Sequence, residues 1–246
     1  MLKSQAGPII FRVPLLDSIP GLACVFVGRD TEPRPVPARL SSVLASACPG
    51  ASATIPLVTA KQIHSGRSLV VRCGAGGVAG EGDALLTRDA GIALGVATAD
   101  CLALAAVDPE AGVLAVVHAG WRGTLAGILG EAIHRMVEQL GAAPGRIRVG
   151  TGAAAGACCY EVGLEVTEAF RRRNPAHASR SLRSTDGGTH LDLAEANRLQ
   201  ALDAGVREEH FAALGVCTIC RTDACHSYRR DGTGAGRMWM LAAMLR

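Results

Sequence analysis

Two strand-like apolar runs each carry a metal-capable side chain at a polar break: Cys101 follows Asp100 in GIALGVATADCLALAAVD, and His118 ends GVLAVVH. His64, in KQIHS, is the only other histidine in the first half of the chain placed next to a strand-like run. Zinc takes thiolate sulfur and imidazole nitrogen readily. Three protein ligands with a fourth position left open is the pattern of a catalytic site, whereas structural sites are closed by four. A water held at such a centre reaches a pKa of about 7 and attacks an electrophilic carbon. The wide separation of His64, Cys101 and His118 argues against a compact knuckle and for strand ends converging at one edge of a sheet. Asp100, adjacent to the thiol, is the candidate proton shuttle. A rival chemistry uses Cys101 as a thiolate nucleophile with His118 as its base, acting on an amide.

Further candidates are charged or aromatic. His118 leads through AGWRG into a helix-like stretch. Such a junction offers backbone N–H groups and the helix dipole to an anion, with Arg122 adding charge and Trp121 a ring for stacking. Tyr228, Arg229, Arg230, Asp231 and Arg237 cluster among glycines near the C-terminus. They read either as a solvated loop or as a clamp for phosphate or carboxylate. In CTICRTDACHS, Cys217, Cys220, Cys225 and His226 begin with a C-x2-C pair, but the adjacent Cys-His makes a poor second half for a tetrahedral site. Cys158 and Cys159 read as packed thiols.

The elements that must position these groups are mostly strands. GLACVFVGR (21–29), LVTAKQIHS, SLVVRC (68–73), ALLT (84–87), 91–98, 101–108 and 112–118 have strand character, with DPEAG as a turn. From 124 to 141 the apolar residues recur at helical spacing, which puts His134 on the polar face. A short helix is expected over 38–47, a strand and glycine-rich turn feeding a helix over 146–170, and a helix from Asp192, where Glu195 completes capping-box spacing, to about Gly205. The proline-rich 31–37, the glycine-rich 74–83 and the stretch 174–190 read as loops, 210–220 as a strand, and the C-terminus as a basic loop followed by a short strand or helix. Residues 1–20 and 30–55 are the least regular. No repeat or linker divides the chain, so the expectation is one α/β domain over 1–246, with mixed β-sheets flanked by helices and the metal site at strand ends.

Hydrophobic residues make up 49% of the chain but aromatics only 3%, so the core must be built from small aliphatics, which suits buried strands covered by helices. A net charge of +3 and few stacking rings give no nucleic-acid footprint. Pro8, Arg12 and Pro14 interrupt the first apolar stretch, and the longest one, 91–107, is cut by Asp100. Neither a signal core nor a membrane span is read. The odd count of nine cysteines then points to reduced thiols in a cytoplasmic enzyme for a small molecule.

Gln62-x-His64, GDALLT (82–87), TADC (98–101), HAGWRGT (118–124), CCYEVG (158–163), LDL (191–193) with Asn197, CT-x-C (217–220) and SYRRDGTGAGR (227–237), in this order, resemble the bacterial laccase-like family, also described as multicopper polyphenol oxidases. The resemblance runs from about residue 21 to the C-terminus. It implies a sandwich-like sheet arrangement flanked by helices and a zinc site at His64, Cys101 and His118, with copper as the other metal. It further implies purine nucleoside chemistry: phosphorolysis of adenosine, inosine, guanosine and methylthioadenosine, and deamination of adenosine. In that setting Arg29, Trp121, Arg122 and Arg229 are candidates for binding nucleoside or phosphate. The laccase label and a cysteine hydrolase acting on a peptidoglycan precursor are the alternatives. This chain keeps Arg29 but lacks the family's Gly-Gly-x-Ser after it. It has Gly152-Ala153 in place of Gly-Pro, and Cys225-His226 where aromatics are usual.

Overall fold

The structure, a computed structural model, describes residues 7–30 and 37–245. The proline-rich stretch read as a loop therefore lies outside the described residues, except for Pro37, which opens helix α1 (Pro37–Ala47). Two six-stranded mixed sheets stack on each other. The first runs β1 (Ile10–Arg12), β2 (Leu22–Val27), β15 (Met238–Met244), β7 (Ala93–Thr98), β3 (Leu57–Lys61) and β5 (Gly77–Glu81). The second runs β14 (Phe211–Ala212), β10 (Arg148–Thr151), β8 (Leu102–Asp108), β9 (Val113–Ala119), β6 (Ala84–Thr87) and β4 (Ser68–Val70). A small third sheet holds β11 (Glu161–Val162), β13 (Gly188–Leu191) and β12 (Leu182–Thr185).

Period-2 alternation explains the layers, because successive strand residues face opposite sides. In β8, Ala103, Ala105 and Val107 pack into the core between the sheets, together with Leu114 and Val116 of β9 and Leu85 of β6. Leu102, Leu104 and Ala106, with Val113, Ala115 and Val117, face the helices on the other side. Those helices are α3 (Ile128–Leu140) and α6 (Leu193–Asp203), while α1 covers the outer face of the first sheet. Both faces of the central strands are buried, and this is why they read as near-continuous apolar runs. Phe26 fills the space between the sheets and is fully buried; Phe26→Ala is expected to cost about 3–5 kcal/mol.

Several expectations needed correction. The helix read over 124–141 is broken at Gly127, whose φ of 84° ends α2 (Trp121–Ala126) before α3 begins. The glycine-rich 74–83 contains β5, an edge strand paired parallel to β3. The stretch 174–190 forms α5 (Pro175–Ser181) and the β12–β13 hairpin, after α4 (Leu164–Arg173). Asn174 caps α5 by accepting from the His177 N–H, and Pro175 opens it. Within 210–220 only Phe211 and Ala212 pair as a strand. Asp192 does cap α6, accepting from the Glu195 N–H. A single turn, α7 (Tyr228–Asp231), precedes β15. Among the described residues no helix is long and apolar enough to cross a membrane.

Candidate metal centre

β3 ends at Lys61, β7 at Thr98 and β9 at Ala119, while β6 and β8 start at Ala84 and Leu102. These termini gather at one end of the sandwich. Cys101 shares the inward phase of Ala103 and Ala105, and His118 that of Leu114 and Val116, so both side chains arrive where the core between the sheets runs out. His64 comes from the turn after β3. The ligand atoms of His64, Cys101 and His118 lie within 4.8 Å of one another, and the two imidazole rings meet edge to face with centroids 4.9 Å apart. His118 is buried, Cys101 half-buried and His64 exposed, so the cluster is closed on the protein side and open toward solvent.

Asp83, in GDALLT, organises the cluster, and it is not among the sequence candidates. Its fully buried carboxylate accepts from the backbone N–H groups of Ile63, His64 and Ser65, from the Ser65 hydroxyl, and from His118 Nδ1 at 2.8 Å. Burial acts to raise its pKa, but the bonds from His118 and Ser65 outweigh this and bring it to about 2. An ionised carboxylate only accepts, so His118 Nδ1 carries the proton and Nε2 is left for the cluster. His64 itself has a φ of 58°, a conformation that costs a non-glycine residue about 1–3 kcal/mol. Three consecutive N–H groups pointing at Asp83 hold it there. The signal available in sequence was a carboxylate two residues ahead of Leu85, in phase with the inward face of β6.

Burial raises the Cys101 thiol, yet hydrogen bonds with His118 and His64 dominate and lower it to about 6. Burial lowers His118, but Asp83 and then Cys101 raise it to about 9. The sulfur is thus held as thiolate, the form that binds metal. Gly120 completes the cradle: a Cβ there would lie 2.7 Å from Cys101 Sγ and 3.2 Å from His64 Cδ2. Two imidazoles, one thiolate, a carboxylate behind one imidazole and a backbone kept clear of side chains suit a tetrahedral cation with one open position.

The cluster opens into a cleft of about 410 Å³, also lined by Gln62, Thr98, Tyr228 and Arg237. Gln62 extends the sheet: its side chain donates to the Ala97 carbonyl and accepts from the Ala97 N–H, both at 2.8 Å, as a backbone amide would. The other sequence candidates lie around this centre. The Asp100 carboxylate accepts from the Thr218 hydroxyl, the Ser227 hydroxyl and the Arg229 N–H, so it ties the C-terminal loop down beside Cys101. Trp121, half-buried, packs on the helix-side core, with the Arg122 guanidinium 4.1 Å above its ring. Arg229 lies 5.3 Å from the Tyr160 ring and donates to the Glu161 carbonyl. Arg29 donates to the Cys225 carbonyl and pairs with Asp231 at 3.9 Å, and it does not line the cleft. Of the C-terminal cluster, it is Tyr228 and Arg237 that reach the cleft.

The family model described as multi-copper polyphenol oxidoreductase laccase matches residues 33–245. The chain belongs to this family. A purine nucleoside phosphorylase of Deinococcus radiodurans is 39% identical over 222 residues, which are 89% of this chain and 81% of the relative. A protein named adenosine deaminase RL5, from an unknown prokaryotic organism, is 39% identical over 165 residues, 63% of this chain and 59% of the relative. The crystal structure of YlmD from Geobacillus stearothermophilus superposes with a TM-score of 0.79 at 30% identity, covering 93% of both chains.

Proposed function

We propose that this chain is a zinc-dependent purine nucleoside enzyme that carries out phosphorolysis of adenosine, inosine, guanosine or methylthioadenosine and deamination of adenosine. The observation that carries the reading is the open three-ligand cluster, backed by Asp83 and facing a cleft large enough for a nucleoside. Relatives named for nucleoside phosphorolysis and adenosine deamination support it. His64, Cys101 and His118 hold the ion, and when bound it supplies Lewis-acid polarisation at the open position. Asp83 keeps the proton on His118 Nδ1, so that Nε2 stays a donor to the metal. Tyr228, with its side chain at the cleft mouth, offers a ring to a purine, and Arg237 offers charge to a phosphate or carbonyl oxygen. Asp100 is positioned to set the backbone at Cys101, where its own φ is 85°.

Incubating the purified protein with adenosine or inosine, with and without phosphate, tests this reading. Inosine formed from adenosine marks deamination, and free base formed only when phosphate is present marks phosphorolysis. No product in any mixture overturns the proposal. A second reading rests on the Cys101 thiolate beside a His118 held at about 9: a cysteine hydrolase acting on an amide. Full activity in protein stripped of metal would favour it. A copper polyphenol oxidase finds less support, because among the described residues the histidine-bearing cluster has two imidazoles, far short of a trinuclear copper centre.

A further inference from the structure

A second cluster forms where sequence spacing grouped different residues. Cys225 is fully buried in the core between the sheets, and His226 is packed against Gly236, so neither joins Cys217 and Cys220. Cys158 and Cys159 do. The sulfurs of Cys158, Cys159, Cys217 and Cys220 all lie within 4.8 Å of one another, with Cys158–Cys220 at 3.8 Å and Cys159–Cys220 at 3.3 Å. Four thiolates bound tetrahedrally at the Zn–S length of about 2.3 Å stand about 3.8 Å apart. The backbone is shaped to the sulfurs. The Gly156 N–H donates to Cys217 Sγ at 3.3 Å, and a Cβ at Gly156 would crowd both Cys217 and Cys158. The Cys217 carbonyl accepts from the Arg221 N–H, which closes a tight turn around the C-x2-C pair. Cys158 and Cys220 are exposed, so a cation can enter from solvent.

We infer that Cys158, Cys159, Cys217 and Cys220 bind one zinc ion as a closed four-thiolate structural centre. It fastens the loop after β10 to the loop that leads into α7. Without it, the loops are joined at this point by the Ala154–Cys217 bridge, the bonds Thr218 N–H to Ala154 and Ala154 N–H to Val216, and the bond from the Gly156 N–H to Cys217 Sγ. The same two loops grip Asp100: the Ala155 N–H donates to its carbonyl and the Thr218 hydroxyl to its carboxylate. Fastening them steadies the backbone that presents Cys101. Binding converts the thiols to thiolates and releases their protons to solvent, with no change of oxidation state.

The test uses the full-length chain, reduced and stripped of metal, with cobalt(II) as the probe and elemental analysis of zinc alongside. The inference expects two zinc ions per wild-type chain, one lost in Cys101→Ser and the other lost in Cys217→Ser/Cys220→Ser. Cobalt added to Cys101→Ser should give the strong sulfur-to-cobalt charge transfer and tetrahedral visible bands of a thiolate-rich site, absent from Cys217→Ser/Cys220→Ser. The exposed single variant Cys158→Ser, checked for native circular dichroism, should weaken cobalt binding at this site by at least about tenfold. Cys101→Ser protein that shows no thiolate-rich cobalt spectrum overturns the inference. So does a disulfide within the set that persists in the purified chain and yields no metal site on reduction. Neither outcome depends on which reaction the first cluster supports.

Discussion

His64, Cys101 and His118 sit where two stacked sheets end, and the carboxylate behind them takes five donors. Cys158, Cys159, Cys217 and Cys220 are carried on two loops, with backbone N–H groups of Gly156, Ile219 and Cys220 aimed at the Cys217 sulfur and no carboxylate or imidazole in the set. The first cluster is preorganised by the scaffold and includes neutral donors, which in the proposed function leaves a position free for a substrate. The second is all sulfur and solvent-facing, so its geometry depends on what the sulfurs hold. On the proposed readings, rigid strand ends suit a site for reaction, and paired loops suit a site for fastening.

The sharpest way to break this contrast is Cys101→Ser. Nucleoside turnover should fall to background, while the second cluster keeps its metal, as elemental analysis and product chromatography would show. Asp83→Asn keeps the shape but gives an amide where a carboxylate met five donors. Metal affinity at the first cluster should drop about 10–100-fold by chelator competition. An equal drop at the four-cysteine cluster would show the two to be one unit. Gly120→Ala pushes a methyl group against Cys101 and His64, at a cost of about 1–3 kcal/mol that thermal denaturation would read together with metal loss. The smallest effect lies in the scaffold. Burial raises Asp108, but the Arg146 guanidinium and the N–H groups of Ala143 and Ala111 outweigh it and hold the carboxyl below its usual range. Its contribution to stability is therefore full above the unfolded carboxylate pKa and is lost as pH falls through the lower folded value. Asp108→Asn should flatten the acid limb of the stability curve and leave both metal clusters unchanged at neutral pH.

The sequence made the three residues of the first cluster legible because each interrupts or ends an apolar run, and the strands around them were legible for the same reason. Asp83 was not: a carboxylate at a strand start looks like any solvated loop residue until the sheets stack over it. Gln62 was part of a recognised motif, yet its role as a stand-in for a backbone amide exists only once Ala97 lies opposite it. The break at Gly127 is hidden because the apolar spacing continues through it. The cysteine set was hidden because proximity in sequence offers the C-x2-C pair only Cys225 and His226, a poor second half, whereas a parallel bridge between Ala154 and Cys217 brings the vicinal pair across 58 residues of chain. Arg29 drew attention through a family motif, and its partners turned out to be Cys225 and Asp231.

Alternation in β9 also makes the His64–Cys101–His118 cluster intolerant of indels. Leu114, Val116 and His118 share one face of that strand, and Val113, Ala115 and Val117 share the other. Removing a single residue between Val113 and Val117 would invert that phase, directing the imidazole at helix α3 and an alanine at Cys101. Such a deletion could still leave an apolar, sheet-forming segment. The strand thus acts as a frame for the chemistry, and length polymorphism in this family is expected to fall outside 101–119 and concentrate in surface segments such as 174–190.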